Sequence, residues 1–127
     1  MGITFVDVDI ANVGSPDVTE RVRLMVDSGA AHSVIPRETL ERLGITSHGS
    51  QTYQLANGAT MSRRKGTVLF RYKDRVGGAD AVFGEPGDAL LLGAFTLEAL
   101  GLGLNPLRRE LVPIPMMLAP VDPPDDP

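Results

Sequence analysis

The sequence predicts an all-β fold that also contains two short helices. The 127-residue chain has 14 glycines and 10 prolines, which divide its apolar residues into short segments, a pattern typical of strands joined by turns. Apolar and polar residues alternate in residues 2–12 and 20–27, as they do in strands with one buried face. The dipeptide Asn57-Gly58, a strong hairpin signal, interrupts a further β-rich segment, residues 51–76.

The first two strands are expected to form a hairpin. Residues 14–17 predict its turn, because Gly, Ser, Pro and Asp are the residues that turns favour. In the second strand, Val22, Leu24 and Val26 share one face, which we expect to be buried. Residues 31–36 resume apolar character and predict another buried strand.

The long hairpin across residues 51–76 is expected to turn at Asn57-Gly58, because this dipeptide best tolerates two positive φ angles. A basic run, residues 63–65, falls on one arm of this hairpin. We expect it to face solvent, and attraction of substrate is the alternative role. The further β elements predicted downstream are short strands at residues 79–83 and 89–93 and a hairpin at residues 102–114 that turns at residues 105–108.

Two short amphipathic helices are predicted, at residues 35–45 and 94–101. In the first, Pro36 suits the first helical turn and Gly44 suits the C-terminal cap. The second is closed in the same way by Gly101.

An internal repeat covers both helices. The segment TLERLGI, residues 39–45, recurs without a gap as TLEALGL, residues 96–102. It is either a chance match between two short helices or the sign of a fold whose two halves share one template.

Composition favours one ordinary globular domain, which we place at residues 1–118, followed by an acidic, Pro-rich and mobile tail at residues 119–127. A net charge of −4 gives no support for binding nucleic acid. The absence of cysteine excludes disulfides and thiolate chemistry, and His32 and His48 are too isolated to suggest zinc, so we expect neither metal nor cofactor. No apolar run is long enough to span a membrane, and the N-terminus carries no secretion signal, so the expected location is cytoplasmic.

The segment LMVDSGAAHSVIP, residues 24–36, places the carboxylate of Asp27 between apolar segments that would tend to bury it. A buried lone charge is costly, so this group must be paired, hydrogen-bonded or protonated. Asp-Ser-Gly is also a common turn sequence, and the triplet alone does not decide between a turn and a site. The apolar strands on both sides, and the helix and hairpin that follow in order, favour a functional carboxylate.

The chain resembles the retropepsin-like aspartic proteases, the single-domain form of the pepsin group. That family has an apolar strand, Asp-(Ser/Thr)-Gly-Ala and a second apolar strand, which match residues 24–35 here. A flap hairpin follows, similar to YQLANGATM, residues 53–61, and then apolar residues, a Gly and a short helix, similar to residues 90–105. The resemblance extends over residues 3–115. It implies a closed-barrel-like acid protease fold that is active as a homodimer.

The resemblance also implies roles for individual residues. Asp27 is the expected catalytic residue. The residues expected to support the active site are Ser28, Gly29 and Ala30. Those expected to form subsite walls or core are Val34, Ile35, Leu92 and Gly93. The flap, which would cover the substrate and bind it as an added strand, comprises Leu55, Ala56, Asn57, Gly58, Ala59 and Thr60.

Peptide hydrolysis by this route requires two carboxylates that share a proton. The chain contains one Asp-(Ser/Thr)-Gly triplet, so the second carboxylate is expected from a second copy of the chain. The expected partners are therefore that second copy and an extended peptide. One alternative is a non-catalytic dimeric peptide-binding module with the same fold, although a pure binder has no need of a buried aspartate. The other is a generic β-rich domain with an accidental Asp-Ser-Gly turn, which predicts an exposed Asp27 and no two-fold cleft.

The sequence departs from the viral members of the family at two positions. Those enzymes usually carry an acidic residue two places after the triplet glycine and an arginine directly after the helix glycine, and the two pair and brace the dimer. Here the positions are Ala31 and Ala94. Both partners are absent together, so no unpaired charge results, but the strength of the dimer is left open. The chain also continues through residues 107–118 after the helix, so its dimer interface could be built differently.

Overall fold

A computed structural model describes residues 3–119, and this part of the chain folds into nine strands and two helices. The strands are β1 (Phe5–Asn12), β2 (Ser15–Val26), β3 (Ser33–Pro36), β4 (Gly49–Gln54), β5 (Thr60–Tyr72), β6 (Arg75–Gly84), β7 (Leu91–Leu92), β8 (Leu102–Asn105) and β9 (Glu110–Pro113). The helices are α1 (Arg37–Arg42) and α2 (Ala94–Leu100). The predicted tail lies almost wholly outside the described residues.

Six of the strands form a closed ring. They pair in the order β1-β2-β7-β3-β6-β5, and β5 returns to pair antiparallel with β1 at Ile10↔Phe70. Strand β4 is added outside the ring, on β5, and β8 and β9 form a separate two-stranded sheet. The predicted all-β, closed-barrel-like fold with two short helices and a hairpin at the flap position is therefore confirmed.

The core lies inside this ring. It is filled by inward-facing residues that alternate along the strands, as the sequence pattern predicts for β2, where Leu24 and Val26 are buried and Arg21 and Arg23 are exposed. The fully buried large apolar side chains are Val8, Ile10, Leu24, Ile35, Leu40, Val68, Phe70, Phe83 and Leu92. Burial of this apolar surface supplies the main stabilisation of the fold.

The turn of the first hairpin was placed wrongly. The structure turns at Val13-Gly14, and the residues predicted to turn, from Ser15 onward, already belong to β2. The reason is Asn12, whose Oδ1 accepts a hydrogen bond from the Gly14 N–H at 2.9 Å, while its amide nitrogen donates to the Gly44 carbonyl at 3.0 Å. An Asn side chain that bonds its own backbone two residues on fixes a turn at that point.

The long predicted hairpin proves to be parts of two hairpins. Strand β5 ends at Tyr72, and the chain turns through Lys73-Asp74 into β6. Strand β6 therefore starts at Arg75, not near residue 79, and runs to Gly84. The sequence concealed this turn because Lys73, not a glycine or asparagine, adopts the positive φ of 54°. The predicted strand at residues 89–93 is also shorter, since β7 comprises two residues.

At the hairpin between β4 and β5, the location of the turn was right and its geometry was wrong. Gly58 has a φ of 87°, but Asn57 does not have a positive φ. The Gly58 N–H donates to the Leu55 carbonyl at 2.9 Å and the Leu55 N–H donates to the Ala59 carbonyl at 2.7 Å. This is a three-residue hairpin loop with glycine in the left-handed position, rather than a two-residue turn.

Both predicted helices are present and both copies of the repeat take the same local structure. Each helix follows a short strand and is followed by a glycine of positive φ, 73° at Gly44 and 67° at Gly101. Thr39 and Thr96 occupy matching places in the repeat and both are buried. Pro36 precedes the first helix as its N-cap residue instead of lying in its first turn.

Helix α2 packs so closely on β6 that one strand position admits no side chain. A Cβ atom added at Gly77 would lie 2.5 Å from the Ala99 carbonyl oxygen, a distance that requires the helix backbone to move. The adjacent Gly78 is on the other face of the strand, and a Cβ atom there would lie 3.9 Å from its nearest neighbour, the Val68 oxygen. Alanine substitutions at these two adjacent glycines therefore test the packing of α2, with Gly78 as the control for Gly77.

We predict that Gly77→Ala lowers the free energy of unfolding by about 1–3 kcal/mol, the usual cost of overpacking. Gly78→Ala should change it by less than about 0.5 kcal/mol, as surface substitutions usually do. Urea unfolding of both variants and the parent, at one protein concentration, measures the difference. Equal midpoints for the two variants would contradict the described packing of α2 on β6.

Candidate active site

Asp27 lies directly after β2, at the start of a tight loop. Its N–H donates to the Leu92 carbonyl of β7 at 3.0 Å, which continues the pairing of the two strands. The Gly29 N–H then donates to Asp27 Oδ1 at 2.9 Å, and the Ala30 N–H donates to the Asp27 carbonyl at 3.2 Å. These bonds hold the carboxylate over the loop that follows it.

The carboxylate is half-buried within one copy of the chain. Val26 before it is buried, whereas Ser28 and Gly29 after it are exposed. Among residues 3–119, no Lys, Arg or His forms an ion pair with Asp27. Of the three possibilities expected for this group, the structure shows the hydrogen bond, donated by the Gly29 N–H.

The start of α2 is joined to the Asp27 loop by backbone hydrogen bonds. The Ala94 N–H donates to the Ala30 carbonyl at 2.7 Å, and the Phe95 N–H donates to the Ala31 carbonyl at 3.0 Å. Gly93 permits this approach, because a Cβ atom there would lie 2.6 Å from the carbonyl carbon and oxygen of His32. The role of Gly93 is thus close backbone contact rather than a subsite wall.

A buried polar pair lies beneath this junction, and the sequence reasoning missed it. The hydroxyls of Ser33 and Thr96 are 2.6 Å apart, both residues are fully buried, and the Gly93 N–H donates to Ser33 Oγ at 2.9 Å. Thr96 is part of the repeated segment, so the repeat was the signal that could have revealed it. Satisfied polar groups of this kind fix one arrangement of the backbone around them.

Ala31 and Ala94, the positions that lack the viral ion pair, lie on the two segments joined by these bonds. Ala31 is exposed and Ala94 is half-buried. Backbone hydrogen bonds therefore connect the two segments here, with no side-chain charge at either position.

Beside the Asp27 loop opens a cleft of about 400 Å³. Gly29 and Ala30 form the part of its wall nearest the carboxylate. Its other residues come from the rest of the Asp27 loop, β3, the β4–β5 hairpin, β6, β7 and the segment before β7. They are Ala31, His32, Val34, Tyr53, Met61, Arg63, Val82, Asp88, Ala89 and Leu91.

The predicted wall residues divide between the cleft and the core. Val34 lines the cleft, whereas Ile35 and Leu92 are fully buried in the core. Val34 and Ile35 point to opposite sides because they are neighbours on the same strand, β3.

The predicted flap residues form the exposed end of the β4–β5 hairpin. Residues 55–60 are all exposed, and the cleft is lined instead by Tyr53 and Met61 on the arms on either side of them. The structure therefore places the arms of the hairpin, and not its tip, at the cleft of the isolated chain.

Tyr53 and His32 connect the hairpin to the Asp27 loop, and neither was singled out from the sequence. The Tyr53 hydroxyl lies 3.1 Å from His32 Nδ1. The His32 ring also packs edge-on against Phe95 of α2, with ring centroids 5.3 Å apart. Burial is the largest factor that lowers the pKa of His32. No sequence pattern brings these three residues together, since they lie on three different elements.

The basic run at residues 63–65 is solvated only in part: Arg64 is exposed, whereas Arg63 and Lys65 are half-buried. Arg63 is about 20% exposed and forms two hydrogen bonds with Asp88, at 2.7 and 2.9 Å. Arg64 lies over the Phe83 ring, 4.5 Å from its centroid. Lys65 Nζ contacts Gln51 Oε1 at 3.4 Å. Thus Arg63 forms part of the cleft wall, Arg64 covers Phe83 of β6, and Lys65 contacts β4.

In the described part of the chain, no three His, Asp or Glu side chains are grouped closely enough to hold a metal ion. Nor does any helix there combine the length and apolar character needed to cross a membrane.

The Arg63–Asp88 pair predicts a specific pH dependence of stability. The hydrogen bond from Arg63 is the largest factor that lowers the pKa of Asp88 below 3.8, and the Glu85 N–H adds to it. A lowered folded-state pKa stabilises the protein above the unfolded value, and this contribution is lost as pH falls through the folded value. Asp88→Asn should therefore cost about 1–3 kcal/mol at pH 6, and the deficit should shrink below about pH 4.

Urea unfolding of the parent and Asp88→Asn from pH 6 to pH 3 measures this deficit. The control is Asp7→Asn, whose ion pair with Arg23 is long, at 3.9 Å, and exposed, and which should change little. A deficit for Asp88→Asn that stays constant across this range would exclude ionisation of Asp88 as its cause.

One family of known proteins matches the part of the chain that forms this site. The family model described as aspartyl protease matches residues 6–95, which include the Asp27 loop, the β4–β5 hairpin and the first residues of α2. No curated protein sequence matches the chain significantly. Among solved structures, the chain is similar to the solution structure of the simian foamy virus (mac) protease, with 17% identity, coverage of 73% of this chain and 92% of that chain, and a TM-score of 0.49. Because the family model covers more than half of its length, the chain belongs to the aspartyl protease family.

Proposed function

We propose that the protein is an aspartic endopeptidase that hydrolyses peptide bonds with two Asp27 carboxylates, one from each of two copies of the chain. The observation that carries this proposal is the position of Asp27. Its carboxylate is half-buried, accepts the Gly29 N–H and stands beside the cleft, in a chain of the aspartyl protease family.

The chemistry follows from bringing two such groups together. Two carboxylates about 3 Å apart cannot both ionise easily, so they share one proton and titrate as a pair. The ionised carboxylate takes a proton from a water molecule, which attacks the scissile carbonyl carbon. The protonated carboxylate donates its proton to the carbonyl oxygen.

The surface beside Asp27 supports the need for a second copy. Ser28 is exposed and borders a groove whose other walls come from α2 and the β8–β9 sheet, among them Leu97, Leu102 and Ile114. Within residues 3–119, neither β8 nor β9 pairs with any further strand. Unpaired strand edges next to an apolar groove are the surfaces that another chain can cover.

The substrate is an extended peptide held between the Asp27 loop and the β4–β5 hairpin. The cleft is mostly apolar and accepts one substrate side chain. Residues 55–60 cover the bound peptide, exclude water and donate backbone hydrogen bonds to it.

A non-catalytic module that binds peptides as a dimer is the alternative use of the same surfaces. It predicts that peptide binds to the cleft and is released uncut, with no effect of the Asp27 carboxylate on turnover. The two functions are separated by the following variant.

Asp27→Asn should abolish cleavage and leave the fold intact, because an amide cannot act as the base and nearly matches the carboxylate in shape. The parent and the variant are incubated with mixed peptides at acidic and neutral pH, and products are identified by mass spectrometry. Asp74→Asn, in the exposed β5–β6 turn, is the matched control and should cleave like the parent. Cleavage by Asp27→Asn at a rate near that of the parent would refute the assignment.

The proposed mechanism also predicts a concentration-dependent dimer. Sedimentation velocity across increasing concentrations should show a monomer–dimer equilibrium, and specific activity should rise with the dimer fraction because one copy supplies one carboxylate. Ile114→Glu, at an exposed position in the groove beside Ser28, should shift both curves to higher concentration. Full activity from a protein that stays monomeric at every concentration would rule out the two-copy site.

A further inference from the structure

Most polar groups in the cleft wall are already engaged with one another. Two guanidinium nitrogens of Arg63 donate to the two carboxylate oxygens of Asp88, so the charges of this pair compensate. The Tyr53 hydroxyl is hydrogen-bonded to His32 Nδ1. The other ring nitrogen of His32, Nε2, makes no hydrogen bond to any residue between 3 and 119. His32 is thus the lining residue with unused hydrogen-bonding capacity and a charge that can change.

The ring is held in a defined position beside the Asp27 loop. Tyr53 and Phe95 contact it edge-on, with interplanar angles of 86° and 87°. The Phe95 N–H also donates to the Ala31 carbonyl, next to His32 in the chain. A side chain held by three elements presents the same atoms to every ligand that enters the cleft.

Burial and the charges around His32 favour the neutral form of its ring. Burial and then Lys65 on β5 lower the pKa of His32 below 6.5, and Asp80 on β6 acts in the opposite direction. The other ionisable groups of the cleft wall are the compensated Arg63–Asp88 pair and the Tyr53 hydroxyl of β4, which contacts the ring, and Asp27 lies five residues earlier in the chain.

We propose that His32 determines which side chain the cleft accepts: a neutral side chain when the ring is neutral, and a carboxylate when the ring is protonated. The proposal rests on the peptidase function proposed above and concerns the same cleft. A protonated imidazole donates from Nε2 to a carboxylate in a wall that is otherwise apolar or compensated. Such charge-assisted hydrogen bonds are stronger than neutral ones.

The proposal predicts both the shape of the pH profile of substrate preference and the size of that preference. A glutamate side chain is ionised above about pH 4.3, and His32 is protonated below its own lowered value. An ion pair between the two requires a pH at which both are charged, so it is lost in stronger acid and again towards neutral pH. Preference for Glu over the isosteric Gln should be bell-shaped in pH, with a maximum of about tenfold, the size expected for one charged hydrogen bond.

The experiment uses peptide pairs that differ only by Glu or Gln, placed in turn at each position within three residues of the cleaved bond. The ratio of kcat/KM for each pair is measured from pH 3.5 to pH 7.5. Titration of the catalytic carboxylates affects both members of a pair and cancels in the ratio. One position should give the bell-shaped ratio, and flat ratios at all positions, with both peptides cleaved, would overturn the role of His32 and leave the peptidase intact.

Two histidine variants identify the group responsible. His32→Gln should give a flat Glu/Gln ratio whatever its overall rate of cleavage, because the ring that changes charge is gone. His48→Gln is the matched control, because His48 is the other histidine and bonds Asp80 and Thr67 away from the cleft, so the bell should persist. A bell that survives in His32→Gln would assign the effect to another group.

A binding measurement decides the question without turnover. In the Asp27→Asn protein, the pKa of His32 followed by NMR should rise when the Glu peptide binds and stay unchanged with the Gln peptide. An equal response to both peptides would overturn the proposal even if His32→Gln failed to fold. Should the unmodified protein cleave no peptide at all, the peptidase proposal fails, and this measurement still tests His32 on its own.

Discussion

The close contact between Gly93 and the loop after Asp27 is the constraint on which the rest of the site depends. Two backbone hydrogen bonds from the start of α2 reach the carbonyls of Ala30 and Ala31 only because residue 93 has no side chain. The Ser33–Thr96 pair then satisfies the polar groups that this contact buries. Buried hydrogen bonds in a low-dielectric interior are costly to break, so the loop is held in a single conformation.

The same contact explains why the cleft has a defined wall. In this loop, His32 lies between α2 and β4: Phe95 packs against its ring, and the Tyr53 hydroxyl is hydrogen-bonded to it. On the opposite wall, Arg63 and Asp88 join β5 to the segment before β7. The cleft is therefore bounded by contacts between elements that are distant in sequence, and its charge is set by one compensated pair and one titratable ring.

Sequence reasoning recovered the features that depend on local patterns. Alternation located β1 and β2, glycine located the ends of both helices, and the apolar strand before Asp27 located the candidate carboxylate. It failed where a particular side chain overrode the local preference: Asn12 moved the first turn, and Lys73 took a left-handed conformation in a turn that no glycine marked. The pairs His32–Tyr53, Ser33–Thr96 and Arg63–Asp88 could not be predicted, because each joins segments between 21 and 63 residues apart and no spacing rule connects them.

A single copy of the chain holds Asp27 in a state that suits folding but not the proposed catalysis. Its carboxylate is half-exposed and accepts the Gly29 N–H, so in the isolated fold it is stabilised by one backbone hydrogen bond and by solvent. Catalysis requires the opposite environment, in which a second carboxylate and the loss of water make full ionisation unfavourable and leave one proton on the pair. The proposed dimer would supply both changes at once, since covering the groove beside Ser28 removes solvent while it brings the second Asp27 near. The shared proton would then be a property of the dimer, and a single copy would not need to bury an unpaired carboxylate in order to fold.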